Sequence, residues 1–148
     1  ELWGVDVVQS RLDALPPVYA HTLRGTTTDL PMDDGSVDAI VAGEFLEHLY
    51  PRDVDPTLCE FQRVLAVGGR LLLTTPNPAY LRLRLSGMSV YGPGHLTQHH
   101  IPVLRHRLKM HGFRSVRVRG SGRISRVLGE LVPAHSLYGS YLIWADKV

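Results

Sequence analysis

Apolar runs of strand length alternate along the chain with stretches whose apolar residues recur at helical spacing. The apolar runs predict strands at residues 1–8, 18–23, 37–42, 70–75, 114–119 and 138–145. Helices are predicted over 9–15, from 44 onward, from 55 to the two glycines at 68 and 69, from 101 to about 112 and, as a short helix, within 121–133. Strands and helices that alternate with short connections indicate crossover units, and therefore a mostly parallel α/β sheet.

The stretch at residues 37–48 is the part around which we expect the chain to be organised. It is predicted to be a buried strand that stops at Gly43 and turns directly into a helix. We expect this strand to lie in the centre of the sheet. Ligands of open α/β sheets bind beyond the carboxyl ends of strands, so reactive groups at this turn are candidates for a functional site.

Three such groups follow the turn. Glu44, Glu47 and His48 are spaced i, i+3, i+4, which on a helix places them on one face with about 6 Å between neighbouring Cβ atoms. Two carboxylates and a neutral imidazole can ligate a divalent ion, and they can equally serve as an acid/base and orienting pair. Alternatively, the carboxylates complement the N-terminal end of the helix and His48 caps or packs. Both interpretations remain open from the sequence.

Length and composition limit the class of protein. At 148 residues the chain fits a single domain, residues 1–148. No stretch approaches the roughly 18 apolar residues that cross a bilayer, and no signal peptide is visible, so we expect a soluble, cytoplasmic protein without a membrane partner. The single cysteine, Cys59, excludes an intrachain disulfide and a cysteine-based zinc site. Its position at apolar helical spacing predicts a small core residue rather than a nucleophile.

Charge is divided unevenly along the chain. Residues 1–60 hold three Lys/Arg and twelve Asp/Glu, whereas residues 61–148 hold thirteen and two. The basic part predicts an anionic partner, either a phosphate-bearing metabolite or a nucleic acid. No aromatic residues are interleaved with these arginines, as stacking on single-stranded nucleic acid requires. The alternative is that the acidic and basic parts attract one another across the fold.

Several short motifs occur in one order along the chain. They are Gly4-Val5-Asp6, the segment DLPMDDGSVD at 29–38, Glu47-His48-Leu49, the segment RVLAVGG at 63–69, TPNP at 75–78, and His95-Leu96 followed by a helix closing on HGF at 111–113. Together they resemble the class I methyltransferases that use S-adenosylmethionine (SAM), most closely the type 11/type 23 group. The resemblance covers nearly all of the chain. It implies a Rossmann-like methyltransferase sheet, mostly parallel with one antiparallel strand near the C-terminus.

The resemblance implies which residues bind the adenosine part of SAM. Asp6, at the end of a predicted strand, is expected to accept hydrogen bonds from the ribose hydroxyls, and its alternative role is to cap the following helix. The loop with Thr26 and Thr27, together with Asp29 and Leu30, is expected to flank the adenine. Thr26 stands where this family usually has an acidic residue, so the position keeps a hydrogen-bonding group without the charge.

For the methionine part of SAM, the resemblance implies that Ala42, Gly43 and Glu44 pass beside it. The family's glycine-rich loop after the first strand is absent, since the chain starts at what corresponds to the second strand. Without that strand we expect two exposed apolar strand edges. Either an upstream segment supplies the first strand, or these strands pair in some other way. We also expect weak or no binding of S-adenosylhomocysteine until that segment is restored.

The irregular stretch at residues 79–100 is predicted to be a functional loop, such as a lid, because loops of this length are uncommon in compact domains. His95 in this loop is our candidate for the base that removes a proton from the methyl acceptor, with His99 second. A merely solvated imidazole is the alternative. The function implied by the resemblance is transfer of the SAM methyl group to an oxygen or nitrogen of a small-molecule or phosphate-bearing acceptor.

Two other functions stay open. The spacing of Glu44, Glu47 and His48 resembles a similar residue cluster in methyltransferases that use a divalent metal. These include RNA 2′-O-methyltransferases and catechol-type O-methyltransferases. In that case His95 or His99 completes the ligand set, and carboxylate-rich ligation favours Mg²⁺ or Mn²⁺. The second possibility is a catalytically inactive methyltransferase-fold module that binds a partner or RNA through its arginine-rich part.

Overall fold

The computed structural model describes residues 1–121 and 135–148. Its strands are β1 Trp3–Asp6, β2 His21–Arg24, β3 Val37–Gly43, β4 Leu65–Pro76, β5 Phe113–Ser121 and β6 Ser140–Lys147. Its helices are α1 Gln9–Asp13, α2 Pro51–Val64, α3 Leu81–Leu85 and α4 Ile101–Met110, with 3₁₀ turns at Leu46–His48 and His135–Leu137. In the described ranges, no helix has the length and apolar character needed to cross a membrane. Ser121 ends β5. The rest of the segment 121–133, where a short helix was expected, lies outside the described residues.

The strands form two groups. β1 and β2 are a parallel pair, and the order in the larger sheet is β3-β4-β6-β5. β3 runs parallel to β4, whereas β6 is antiparallel to both β4 and β5. The larger sheet is therefore parallel except for β6. This confirms the predicted Rossmann-like arrangement with one antiparallel strand near the C-terminus.

β3 lies at an edge of the larger sheet, because among the described strands only β4 pairs with it. The prediction of a strand at residues 37–42 is confirmed, but the prediction that it is central is wrong for this chain. A strand becomes central only when both of its edges have partners. The unpaired edge of β3 faces β1 across a cavity of about 820 Å³, lined among others by Trp3, Val5 and Ile40. We call this gap between β1 and β3 the strand slot, and its two open edges agree with the two exposed apolar strand edges that the sequence predicted.

The hydrophobic core lies between one face of the larger sheet and the helices α2 and α4. Its fully or almost fully buried residues include Leu58, Phe61, Leu71, Leu73, Leu104, Leu108, Ile143 and Ala145. Side chains alternate along a strand, so Leu72 and Trp144, which are paired across β4 and β6, point to the opposite face. Both remain partly exposed. Packing of α2 and α4 on the core face holds β4 in place. The site described below lies at the carboxyl end of this strand.

α2 begins four residues earlier than the predicted start at Asp55, and Pro51 occupies its first turn. Pro56 therefore lies inside the helix, where it removes one backbone hydrogen bond. Burial of Val54 and Leu58 on either side favours the helix despite this loss. The helix also ends before the predicted glycine stop, because Gly68, at φ +81°, belongs to an irregular part of β4.

Cys59 is exposed, so the prediction that it is a small core residue is wrong. Leu58 and Phe61 direct the buried face of α2 toward the sheet. A residue one position after Leu58 is rotated by about 100° around the helix axis, away from that face. Apolar spacing alone did not distinguish the buried stripe from its border.

The elements near the C-terminus follow the predictions closely. The helix expected over 101–112 is α4, and Gly112, at φ +85°, lies just past its end, where the left-handed conformation favours glycine. The strand expected at 114–119 lies inside β5, and the one expected at 138–145 is β6, shifted by two residues at each end.

Candidate cofactor and acceptor site

Asp6 ends β1, as predicted, and its carboxylate stabilises the turn into α1. Its Oδ1 accepts a hydrogen bond of 2.8 Å from the Val8 backbone N–H, and its Oδ2 lies 3.6 Å from an Arg11 guanidinium nitrogen. Asp6 does not cap α1 itself, because the N-cap residue is Val8 and no side chain caps it. The side chain is 29% exposed, so Oδ2 remains accessible to hydroxyl donors.

The loop after β2 is attached to α2 at two points. The hydroxyls of Thr27 and Thr57 are 2.9 Å apart, and the Leu30 backbone N–H donates to Glu60 at 2.8 Å. Arg63 donates to both carboxylate oxygens of Glu60, and these hydrogen bonds lower the pKa of Glu60 below its usual range. The loop is therefore held by a charged pair on α2 whose carboxylate stays ionised.

The residues predicted to bind SAM divide into two groups in the structure. Thr27, Leu30, Ala42 and Gly43 line the strand slot. The remaining predicted residues lie outside its lining, and they are Asp6, Thr26, Asp29 and Glu44. Thr26 and Asp29 face each other across a short loop bridge and are exposed. The slot therefore brings together residues of the loop after β2 and of the end of β3.

The turn after β3 is not a helix. Glu44 has φ +46°, a left-handed conformation that is uncommon for residues other than glycine. Its backbone N–H lies 3.0 Å from the Thr74 carbonyl oxygen and 2.8 Å from the Thr74 hydroxyl, and both accept from it. A single 3₁₀ turn, Leu46–His48, follows before Pro51 starts α2. The predicted helical face shared by Glu44, Glu47 and His48 is therefore wrong.

Glu47, His48 and His95 nevertheless come together beside the end of β4, and we call them the edge cluster. One possible ligand atom from each residue lies within 4.8 Å of the other two. Glu47 is 1% exposed, and its Oε2 accepts a hydrogen bond from the Thr75 hydroxyl at 3.1 Å. Its Oε1 is buried and has no hydrogen-bond partner among the described residues. Burial is the main cause that raises the pKa of Glu47 above its usual range.

Both imidazoles of the edge cluster are oriented by backbone carbonyls. His48 Nδ1 lies 2.7 Å from the Gly94 oxygen, and His95 Nδ1 lies 2.8 Å from the Val90 oxygen. A carbonyl oxygen can only accept, so each Nδ1 must donate. In the neutral form each ring then has its lone pair on Nε2. The two rings meet edge to face with centroids 4.9 Å apart. This arrangement leaves two imidazole nitrogens available next to a buried carboxylate oxygen.

The loop at 79–100 packs directly on the 3₁₀ turn. The backbone N–H groups of Leu96 and Thr97 donate to the Glu47 carbonyl at 2.7 and 3.1 Å. The Thr97 hydroxyl donates to the Leu46 carbonyl at 2.9 Å. These contacts connect two segments about fifty positions apart and explain how His95 reaches Glu47. The loop also contains α3, which the sequence did not predict.

His99 is placed apart from the edge cluster. It is 5% exposed, and its Nε2 lies 2.9 Å from the Thr97 hydroxyl. Burial is the main cause that lowers the pKa of His99, and the nearby positive charge of Arg107 acts in the same direction. The structure thus gives His95 the accessible position and buries the second candidate base.

Asn77 is a structural anchor of this edge that the sequence reasoning did not assign. Its amide nitrogen donates to the backbone carbonyls of His135 and Tyr138 at 2.8 and 2.7 Å. Its amide oxygen accepts from the Tyr141 hydroxyl and from the Ala79 N–H. Burial raises the pKa of Tyr141 to about 12, so this hydroxyl remains a donor. The TPNP motif at 75–78 was the available signal.

Comparison with known proteins places this geometry in a family. Residues 1–73 match a protein-family model described as "Methyltransferase domain", of type 11. These residues, just under half of the chain, match the class I SAM-dependent methyltransferase family. Compared by sequence with curated proteins, it matches none.

Solved structures show the same fold. A SAM-dependent methyltransferase from Archaeoglobus fulgidus is 20% identical with a TM-score of 0.74, covering 98% of this chain and 75% of that one. A possible histamine N-methyltransferase from Thermotoga maritima is 18% identical with a TM-score of 0.77, covering 99% and 73%. The [4+2]-cyclase SpnF is 18% identical with a TM-score of 0.68, covering 99% and 66%. Since one of these neighbours is named for a different reaction, the fold leaves the acceptor undetermined.

Proposed function

We propose that this methyltransferase transfers the SAM methyl group to an oxygen or nitrogen of a small, anionic acceptor bound over the edge cluster. The main support is that His95 lies beside the buried carboxylate of Glu47. This cluster lies at the carboxyl ends of β3 and β4, next to the predicted cofactor residues Ala42 and Gly43. Arg82 and Arg84 of α3 are exposed on the segment that follows β4. Their charge suits a phosphate-bearing or carboxylate acceptor.

The residues present fit the adenosine and methionine parts of SAM. Asp6 has an accessible carboxylate oxygen for ribose hydroxyls, and Leu30 offers a buried apolar surface to an adenine. Gly43, at the end of β3, lines the strand slot. When bound, SAM supplies a methyl group that its sulfonium has already activated.

The chain's own residues then orient the acceptor and take its proton. Nδ1 of His95 donates to the Val90 carbonyl, so Nε2 is the atom that accepts a proton. The nearby Glu47 carboxylate stabilises the imidazolium that results. Packing of the loop on the 3₁₀ turn keeps this base in place.

The strand slot supports a further part of this proposal. The open edges of β1 and β3 flank a cavity of about 820 Å³. We propose that an upstream strand pairs with both edges, and that the loop after it completes the SAM site. Backbone groups on both edges then gain partners, and the apolar lining leaves water.

Calorimetry with S-adenosylhomocysteine tests the proposal. The 148-residue chain should bind it weakly or not at all, and a chain extended by the upstream segment should bind it saturably. The extended chain should also transfer a methyl group to an anionic acceptor. Tight binding to the 148-residue chain contradicts the role of the strand slot, and extended protein that binds the cofactor without any transfer supports the inactive binding module.

A divalent metal site is the second candidate function, favoured by the unpartnered Oε1 of Glu47. Oε1 and the Nε2 atoms of His48 and His95 form one carboxylate and two imidazole donors, each oriented by a neighbouring group. Such orientation by surrounding hydrogen bonds is typical of metal ligands, and Mn²⁺ accepts this mixture of donors. Glu44 is absent from the cluster that the described residues form, so the predicted four-ligand set is reduced to three.

In that case the acceptor class includes RNA 2′-hydroxyls and catechols, whose oxygens can bind to the metal. Titration of the protein with Mn²⁺ in a calorimeter tests this candidate directly, with Mg²⁺ as the second ion. A saturable site that His48→Gln weakens by roughly tenfold or more supports it. Full transfer activity in the presence of EDTA contradicts it and leaves His95 acting as a simple base.

A further inference from the structure

Cys59, His111 and Asp55 form a second group of reactive side chains, which we call the thiol cluster. Cys59 and Asp55 lie one helical turn apart on α2, and His111 lies at the end of α4. The Cys59 Sγ is 3.3 Å from His111 Nδ1, and His111 Nε2 is 3.0 Å from Asp55 Oδ1. None of these residues belongs to the edge cluster.

The partners of His111 decide which of its nitrogens is basic. A carboxylate can only accept hydrogen bonds, so Nε2 of His111 donates to Asp55. In the neutral ring the lone pair is then on Nδ1, which faces the Cys59 thiol. Arg107 holds the same carboxylate oxygen of Asp55 at 3.1 Å, which limits its movement. A nucleophile, a base and an orienting carboxylate are therefore arranged in the order that activates a thiol.

The exposure of the Cys59 sulfur to solvent distinguishes the thiol cluster from a buried contact that only stabilises the fold. Cys59 is exposed, whereas the His111 side chain is 20% exposed. A small reagent can therefore reach the sulfur while the imidazole remains packed behind it. Neither the strand slot nor the cavity beside α3 is lined by Cys59, His111 or Asp55. The arrangement suits reaction with a small molecule better than turnover of a bulky one.

We propose that the thiol cluster is a modification site at which Cys59 exchanges with low-molecular-weight disulfides such as glutathione disulfide. His111 Nδ1 takes the thiol proton while Sγ attacks one sulfur of the disulfide. A mixed disulfide on Cys59 forms, the reagent's S–S bond breaks, and the released thiolate takes the proton from His111. Two sulfur bonds are exchanged and no further oxidant is needed. His111 acts as the base, and Asp55 is a positioning residue.

The single cysteine makes the test direct, because every thiol signal from the 148-residue chain reports Cys59. The second-order rate with 5,5′-dithiobis(2-nitrobenzoate) is measured at pH 7 and compared with that of a peptide of residues 55–63. Glutathione disulfide is then used as the second reagent, with mass spectrometry to detect the adduct. The folded chain should react on the order of tenfold faster than the peptide, since only the chain has the base.

Variants separate the base from simple exposure. His111→Gln should slow the folded chain to about the rate of the peptide, whereas His106→Gln, on the same helix, should leave the rate within about twofold. Asp55→Asn should give an intermediate rate, and Asp53→Asn on the same helix should not change it. A folded chain no faster than the peptide overturns the proposal. So does a His111→Gln variant that reacts as fast as the unmodified chain with an unchanged circular dichroism spectrum.

Discussion

The edge cluster and the thiol cluster both contain histidine, but they use its two ring nitrogens differently. In the edge cluster, backbone carbonyls bind Nδ1 of His48 and His95 and leave both Nε2 atoms available next to an unpartnered carboxylate oxygen. In the thiol cluster, side chains occupy both nitrogens of His111. Imidazoles held by the backbone can serve an external ligand, whereas an imidazole held between side chains acts on its own neighbour.

Of the substitutions that test this difference between the two clusters, Glu47→Gln should have the largest effect on methyl transfer. In the extended protein it should abolish metal-stimulated methyl transfer if the edge cluster binds an ion, because the only carboxylate donor of that cluster is lost. Affinity for S-adenosylhomocysteine should be nearly unchanged. Transfer rates with and without Mn²⁺, together with calorimetry, measure both quantities. Unchanged stimulation by Mn²⁺ rules out Glu47 as a ligand.

Replacement of His95 by Gln is expected to have the next largest effect. Without metal, removal of the base should lower the rate of methyl transfer by about 10²-fold to 10⁴-fold at neutral pH. The matched control is His106→Gln, an exposed histidine on α4. Single-turnover kinetics measure the chemical step. A loss below about threefold assigns proton removal to another group or to water.

Burial of His99 predicts a change of stability with pH. Because the pKa of His99 is lowered in the folded protein, the unfolded chain binds a proton first as the pH falls below about 6.5. The folded state then loses stability as the pH decreases further. His99→Gln should reduce this loss between pH 7 and 5. Urea unfolding at both values measures it, and an identical pH slope in both proteins contradicts the prediction.

Replacement of Cys59 by Ser should have the smallest effect on stability. Because Cys59 is exposed, the free energy of unfolding should change by less than about 0.5 kcal/mol. Its neighbour Leu58 is fully buried, so Leu58→Ala should cost about 2–5 kcal/mol. Thermal unfolding of the two variants compares them. A large loss for Cys59→Ser indicates that the thiol cluster joins α2 to α4 rather than serving as a reactive surface site.

The order and type of the main elements were predictable from the sequence. Strands at 37–42 and 114–119 and the helix starting at 101 depend on local apolar periodicity, which burial of one face preserves in the fold. The motifs quoted for the resemblance also led to the family before any geometry was known. These features depend on neighbours in sequence, so the chain carries their signal locally.

Tertiary structure alone decided which chemical groups meet. Glu44 left the predicted helical face because hydrogen bonds to Thr74 hold its turn in a left-handed conformation. His95 reached Glu47 because backbone N–H groups of its loop donate to the Glu47 carbonyl. Cys59 found His111 only through the packing of α2 beside α4. Each of these contacts joins residues that are 30 to 52 positions apart in the sequence. Periodicity within a single helix or strand does not specify contacts over such separations.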